Sequence, residues 1–145
     1  MQKLETSILN DANASIANAK SETDMLSVIR KYQQVTFTTA VYPEAGEYSE
    51  REVNYLILGL VGEAGELANK FKKMLRSGVV TLDHPKAKLV LKSEELSILT
   101  DEMGDILWYL ARLADVLHVN LEVLAQLNYT KLLERKHAGQ LKDHK

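Results

Sequence analysis

The amino-acid sequence predicts an all-α fold, a bundle of four main helices. Apolar residues recur at the three- and four-residue spacing of helices through most of the chain, and no segment alternates long enough to argue for a sheet. The punctuation agrees: the two prolines, Pro43 and Pro85, each stand where the helical pattern breaks.

Residues 1–20 read as an N-terminal extension. Leu4, Ile8, Ala12 and Ile16 stand four apart, a helical spacing set in a stretch rich in Asn, Ser and Ala. A helical domain is expected over 21–141, followed by a polar tail over 142–145. Its first helix spans about residues 23–39, with Met25, Val28, Ile29, Tyr32, Val35 and Thr36 on one stripe and Thr23 or Ser21 as cap. Residues 40–49, with Tyr42-Pro43-Glu44-Ala45-Gly46, read as a loop. A second helix follows over about 50–76. Residues 77–93 read as a connection, with a short strand a candidate at 79–82. The third helix is expected over about 94–117. Asn120 is the candidate N-cap of a fourth that ends near His137, with Gly139 as its stop.

A chain of 145 residues fits one domain with a real core. Its net charge of −2 gives no electrostatic footprint for a nucleic-acid polymer or a membrane surface, though a local basic site for a nucleotide remains compatible with it. The absence of cysteine excludes disulfides, thiolate catalysis and zinc–thiolate sites. No apolar run reaches the roughly 18 residues of a membrane span, and the N-terminus lacks the pattern of a secretory signal. A cytoplasmic protein is the expectation.

Four acids stand where a buried helix face is expected. The run Leu56-Ile57-Leu58-Gly59-Leu60-Val61-Gly62-Glu63-Ala64-Gly65-Glu66-Leu67-Ala68 carries Glu63 and Glu66 as its charges. They point only about 60° apart on a helix. Glu102-Met103-Gly104-Asp105 repeats the i, i+3 pair just before Ile106-Leu107-Trp108-Tyr109-Leu110. Paired acids are usually a solvated face. Here the apolar flanks imply that both helices are largely buried. Carboxylates near a bundle interior repel each other and cost several kcal/mol in desolvation. A divalent cation removes both penalties, and an all-oxygen site suits magnesium, with manganese as substitute.

Gly59, Gly62 and Gly65 recur every three residues beside these acids, each costing the helix roughly 1 kcal/mol relative to alanine. Close helix packing explains them, and so does a flat edge that leaves room for metal and phosphate. Lys70 and Lys73 continue the stripe of Glu63 and Glu66, partly as ordinary i, i+4 pairing. On the fourth helix Leu124, Asn128, Lys131 and Arg135 form one line that turns from apolar to polar. Acids that hold a metal, near Lys and Arg donors, are what a magnesium–polyphosphate ligand requires.

These motifs resemble the MazG-like nucleotide pyrophosphohydrolases, especially their compact single-domain phage and bacterial forms. The family's Glu-x-x-Glu and Glu-x-x-Asp read here as Glu63-Ala64-Gly65-Glu66 and Glu102-Met103-Gly104-Asp105. Flanking matches include Tyr55-Leu56-Ile57-Leu58-Gly59-Leu60, Lys72-Lys73, Ile106-Leu107-Trp108-Tyr109 and the Asn-x-x-Lys-Leu-x-x-Arg pattern from Asn128 to Arg135. The resemblance covers about residues 28 to 141. It implies the all-α NTP pyrophosphatase fold, magnesium on Glu63, Glu66, Glu102 and Asp105, nucleotide contacts from Asn128, Lys131 and Arg135, and a homo-oligomer, dimer or tetramer. Gly62 departs from it, many relatives having glutamate there, as does a tail lacking their Gly-Asp-rich, arginine-containing segment.

The reaction so implied is hydrolysis of a nucleoside triphosphate to the monophosphate and pyrophosphate. Glu63 is the candidate to orient or deprotonate the water, a choice among the four acids that the sequence leaves open. Trp108 and Tyr109 are weighed as base contacts against core packing, with core favoured. Three rivals stand beside this reading. One is a di-iron bundle, for which Glu134-Arg135-Lys136-His137 supplies one motif and Asp115-Val116-Leu117-His118 only a near-match. Another is a non-catalytic regulator or adaptor. The third is a same-fold hydrolase of dUTP, dCTP or a phosphoribosyl-ATP type of substrate.

Overall fold

A computed structural model describes residues 22–79 and 91–140. The candidate strand beyond Val79, the patterned extension over 1–20 and the polar tail lie outside them. Among the described residues four helices occur: α1 (Glu22–Thr38), α2 (Glu50–Arg76), α3 (Ser93–Val116) and α4 (Leu121–His137). They match the four expected helices within a residue or two, and no strand occurs among the described residues. None of these helices is long and apolar enough to cross a membrane.

α1 ends in a cluster of threonines whose hydroxyls turn back on its own carbonyls. Thr36 Oγ1 donates to the Gln33 oxygen at 2.7 Å, Thr38 to Val35 at 2.8 Å and Thr39 to Thr36 at 3.0 Å. Such bonds give the backbone an alternative to a further helical turn. α2 starts at Ser49, whose hydroxyl accepts from the Glu52 N–H at 3.1 Å. Ser49-Glu50-Arg51-Glu52 has the spacing of a capping box, yet the Glu52 carboxylate goes elsewhere. It accepts from the N–H groups of Gly46 (2.8 Å) and Tyr48 (2.7 Å) and from the Tyr42 hydroxyl (2.7 Å), drawing the 40–49 loop over the helix start.

α3 ends with His118 in the left-handed region at φ 57°, while the Val119 N–H donates to the Ala114 oxygen at 2.8 Å. This is the Schellman arrangement, in which the six-to-one bond satisfies a late carbonyl. Asn120 occupies the N-cap position of α4 as expected, but its side chain makes no cap bond. Gln33 of α1 replaces it: its Oε1 accepts from the Leu121 N–H at 2.8 Å and its Nε2 donates to the Val119 oxygen at 2.9 Å. α4 stops through Gly139 at φ 65°.

The antiparallel pair α2–α3 is the body of the fold. Three small apolar clusters hold it together. Tyr42, Leu56 and Val116 anchor the first, with Trp108 and Tyr109 packed against them. Met74 and Leu99 form the second, and Ala111, Ala114 and Leu121 the third, which seats Ile29 and Tyr32 of α1. Gly59 is needed here, because a Cβ would collide with the Tyr109 ring. Gly62 and Gly65 differ: a Cβ at either meets nothing within 4 Å. Close packing therefore explains one of the three glycines.

Two expectations about burial need correction. The α1 stripe is not all core, since Val28 and Val35 are exposed while Thr36 is buried. Nor are α2 and α3 largely buried. Ile57, Leu58, Val61 and Met103 are exposed, and Leu107 is exposed on the wall of a groove between α1, α3 and α4.

Candidate functional site

The acid pairs fall on facing turns of α2 and α3, the two helices that pack most closely. Glu63, Glu66 and Glu102 each offer a carboxylate oxygen, and these oxygens lie within 4.8 Å of one another. Glu102 is buried, Glu63 half-buried and Glu66 exposed, so the group opens from the helix interface toward solvent. Asp105, one turn beyond Glu102, is exposed and stands outside this triad, but its charge acts on Glu63. Burial first, then the charges of Asp105, Glu66 and Glu102, push the Glu63 carboxyl above the usual range, with Lys70 opposing them.

The chemistry of the donor set fits a divalent cation. One oxygen of Glu102 bonds to the Lys70 ammonium. The other, Oε2, is buried and has no hydrogen-bond partner among the described residues. A buried carboxylate oxygen without a donor costs free energy that a hard cation removes. Gly62 and Gly65, open on their Cβ side, leave the adjoining face of α2 unobstructed.

The basic residues divide between two places. Lys70 is half-buried on Glu102, whose bond raises its pKa; Lys70 and Lys73 also line a cavity of about 540 Å³ with Met74, Arg76, Ser77 and Ile98. Asn128 and Lys131 lie at one end of an apolar groove of about 760 Å³ between α1, α3 and α4. Tyr32 lines the same groove, and its hydroxyl pKa is raised by burial and then by Asp105, so groove and acids are neighbours. Arg135 is exposed one turn further along α4 and lines neither cavity.

Trp108 and Tyr109 serve packing. The Trp108 Nε1 donates to Thr39 Oγ1 at 2.8 Å, and its ring meets those of Tyr42 and Tyr109 edge-on. The di-iron alternative finds no support in the donor geometry: His118 and His137 lie outside the clustered acids.

A buried ionic network escaped the sequence reading. Arg112 and Glu52 are both fully buried, with Nη2 and Oε1 3.9 Å apart, and Arg112 Nη1 donates to Asp115 Oδ2 at 2.8 Å. The guanidinium also lies 5.1 Å from the Phe37 ring centroid. Burial and the Glu52 bond push the Tyr42 hydroxyl up to about 12. A lone arginine inside Leu110-Ala111-Arg112-Leu113-Ala114 was the available signal, since a cation on an apolar face must find a buried partner.

Comparison with known proteins bears on this geometry. The chain is 43% identical over 111 residues to Gene 37 protein of Mycobacterium phage L5, covering 74% of this chain and 88% of the phage protein. It is 36% identical over 76 residues to Uncharacterized protein YvdC of Bacillus subtilis (strain 168), covering 52% of this chain and 68% of that one. No solved structure gives a significant match. The model of the MazG nucleotide pyrophosphohydrolase domain matches residues 51–139, the span that carries both acid pairs. With its all-helical fold, the chain belongs to the MazG nucleotide pyrophosphohydrolase domain family.

Proposed function

We propose that this protein hydrolyses a nucleoside triphosphate to the monophosphate and pyrophosphate with magnesium held by Glu63, Glu66, Glu102 and Asp105. The observation that carries the reading is the convergence of three carboxylates within 4.8 Å, one of them Glu102, whose buried Oε2 has no hydrogen-bond partner among the described residues. Bound there, a divalent cation lowers the pKa of water and neutralises phosphate charge.

Glu63 acts as the base. Its half-buried carboxylate stands in the cluster with Glu66 and Glu102, where it can orient the attacking water and take its proton. Water adds to the α-phosphorus, the α–β bridging P–O bond breaks, and its electron pair leaves with pyrophosphate. Lys70 and Lys73 bind phosphate oxygens from the α2 side. Asn128, Lys131 and Arg135 reach the nucleotide from α4, the apolar groove beside Asn128 and Lys131 taking its less polar part.

A homo-oligomer, dimer or tetramer, completes the proposal. Leu58 is 72% exposed and Val61 65%, apolar side chains of α2 that a second copy would cover. The protein acts in the cytoplasm on a small nucleotide, with no membrane or nucleic-acid polymer as partner.

A panel of ribo- and deoxynucleoside triphosphates with magnesium, scored for released pyrophosphate, tests the reaction. Turnover of at least one, lost in Glu63→Gln and Asp105→Asn with helical circular dichroism intact, is the expected result. Full activity in both variants refutes the site, and orthophosphate as product refutes the bond assigned.

A further inference from the structure

The Lys70–Glu102 pair raises a question about the site before any metal arrives. Glu102 is 6% exposed at its side chain, on α3, surrounded by Glu63 and Glu66 of α2. An ionised carboxylate so placed is costly without a cation. Lys70 extends from the same α2 stripe as Glu63 and Glu66 and places its ammonium on Glu102 Oε1. Its side chain is 36% exposed, so the ammonium remains in touch with solvent while the carboxylate does not.

The ammonium does only part of a metal's work. It bears one charge against several acids, and it leaves Glu102 Oε2 with no partner. Lysine is a compact point charge on a flexible four-carbon stem, the kind of cation able to withdraw by rotating that stem. It has a place to go, since Lys70 already lines the cavity shared with Lys73 and Arg76.

We infer that Lys70 is a resident counter-ion for the metal-free site, so that a divalent cation binds by displacing its ammonium from Glu102. This rests on the metal reading given above. It assigns Lys70 a positioning role distinct from phosphate binding. The metal-free acids are held together by Lys70, and cation affinity is set lower than the carboxylates alone would give. Metal binding and the Lys70–Glu102 bond are thus mutually exclusive, and removing one strengthens the other.

The test uses manganese alone, without nucleotide. Calorimetric titration and thermal unfolding in chelator are measured on wild type, Lys70→Met, Lys70→Arg and Glu63→Gln. Methionine keeps the apolar stem and removes the charge; arginine keeps the charge.

Lys70→Met is expected to unfold at lower temperature than wild type in chelator. It should bind manganese on the order of fivefold or more tightly, with a larger thermal gain on loading. Lys70→Arg should restore wild-type behaviour in both measurements. Unchanged affinity and unchanged chelator stability in Lys70→Met, while wild type binds manganese and Glu63→Gln does not, overturns the exchange and spares the metal site. A wild type that binds no manganese overturns both.

Discussion

Gln33 caps Leu121. One glutamine from α1 accepts the first free N–H of α4 and donates to the Val119 carbonyl two residues earlier, so that a single side chain holds the α3–α4 link. The Leu121 N–H is buried and the bond to the Val119 carbonyl part-buried, so truncation would leave a buried donor unpaired. Gln33→Leu is expected to cost about 1–3 kcal/mol in urea unfolding. Asn120→Ala, which removes no cap bond, is expected to cost under about 0.5 kcal/mol. Equal losses would contradict the assignment of the cap to Gln33.

Glu52 is the second stability element, and it carries a pH signature. Burial alone would raise its pKa, but the Gly46 N–H, the Tyr42 hydroxyl, the Tyr48 N–H and Arg112 together hold it below the usual carboxylate range. A depressed folded pKa means stability that is present above the ordinary carboxylate range and lost as pH falls through the depressed value. Glu52→Gln removes one of the two carboxylates facing Arg112, Asp115 remaining, and weakens the bonds from the 40–49 loop; it is expected to cost about 1–3 kcal/mol near pH 7. The gap between variant and wild type should narrow in denaturant titrations as pH falls below the ordinary carboxylate range. A gap independent of pH would contradict the ionised network.

Glu63 has the opposite sign. Its folded pKa is raised, so the metal-free fold is favoured by its protonated form and loses stability as pH rises through that value. Glu63→Gln should therefore unfold at higher temperature than wild type near neutral pH in chelator, and the advantage should disappear in the acidic range. Saturating magnesium should reverse the order, because it stabilises only the protein that binds it.

The three regularly spaced glycines separate by environment. Gly59→Ala forces a methyl into the Tyr109 ring and is expected to destabilise by about 1–3 kcal/mol. Gly62→Ala and Gly65→Ala meet open space and should stabilise the metal-free fold by roughly 0.5–1 kcal/mol each through helix propensity. Thermal unfolding of the three variants checks the division. A stabilised Gly59→Ala would contradict the packing described.

What was legible in the sequence was what is local. The helices follow from periodicity, and the two acid pairs stood out because each interrupts an apolar run at i, i+3 spacing. Three of these acids, Glu63, Glu66 and Glu102, come together between α2 and α3, while Asp105 stands outside the group. What was not legible depends on residues far apart in sequence. Glu52 drew no notice in the sequence, because only the 40–49 loop folding back gives it its donors. Lys70 looked like an i, i+4 partner of Glu66, yet it crosses to Glu102 on the neighbouring helix. Asn120 occupies the cap position, but Gln33 supplies the bond. The degree of burial was misjudged for a related reason. An apolar pattern records that a face avoids water without recording whether this chain or another copy covers it.

The central claim is that Glu63, Glu66, Glu102 and Asp105 hold one divalent site. Crystals grown with manganese and measured for anomalous scattering test it most directly. The account predicts an anomalous peak within coordinating distance of the Glu63, Glu66 and Glu102 carboxylates, with Asp105 turned toward it and the Lys70 ammonium withdrawn. A fully manganese-saturated crystal with no peak there, or with its peak away from these carboxylates, would contradict it.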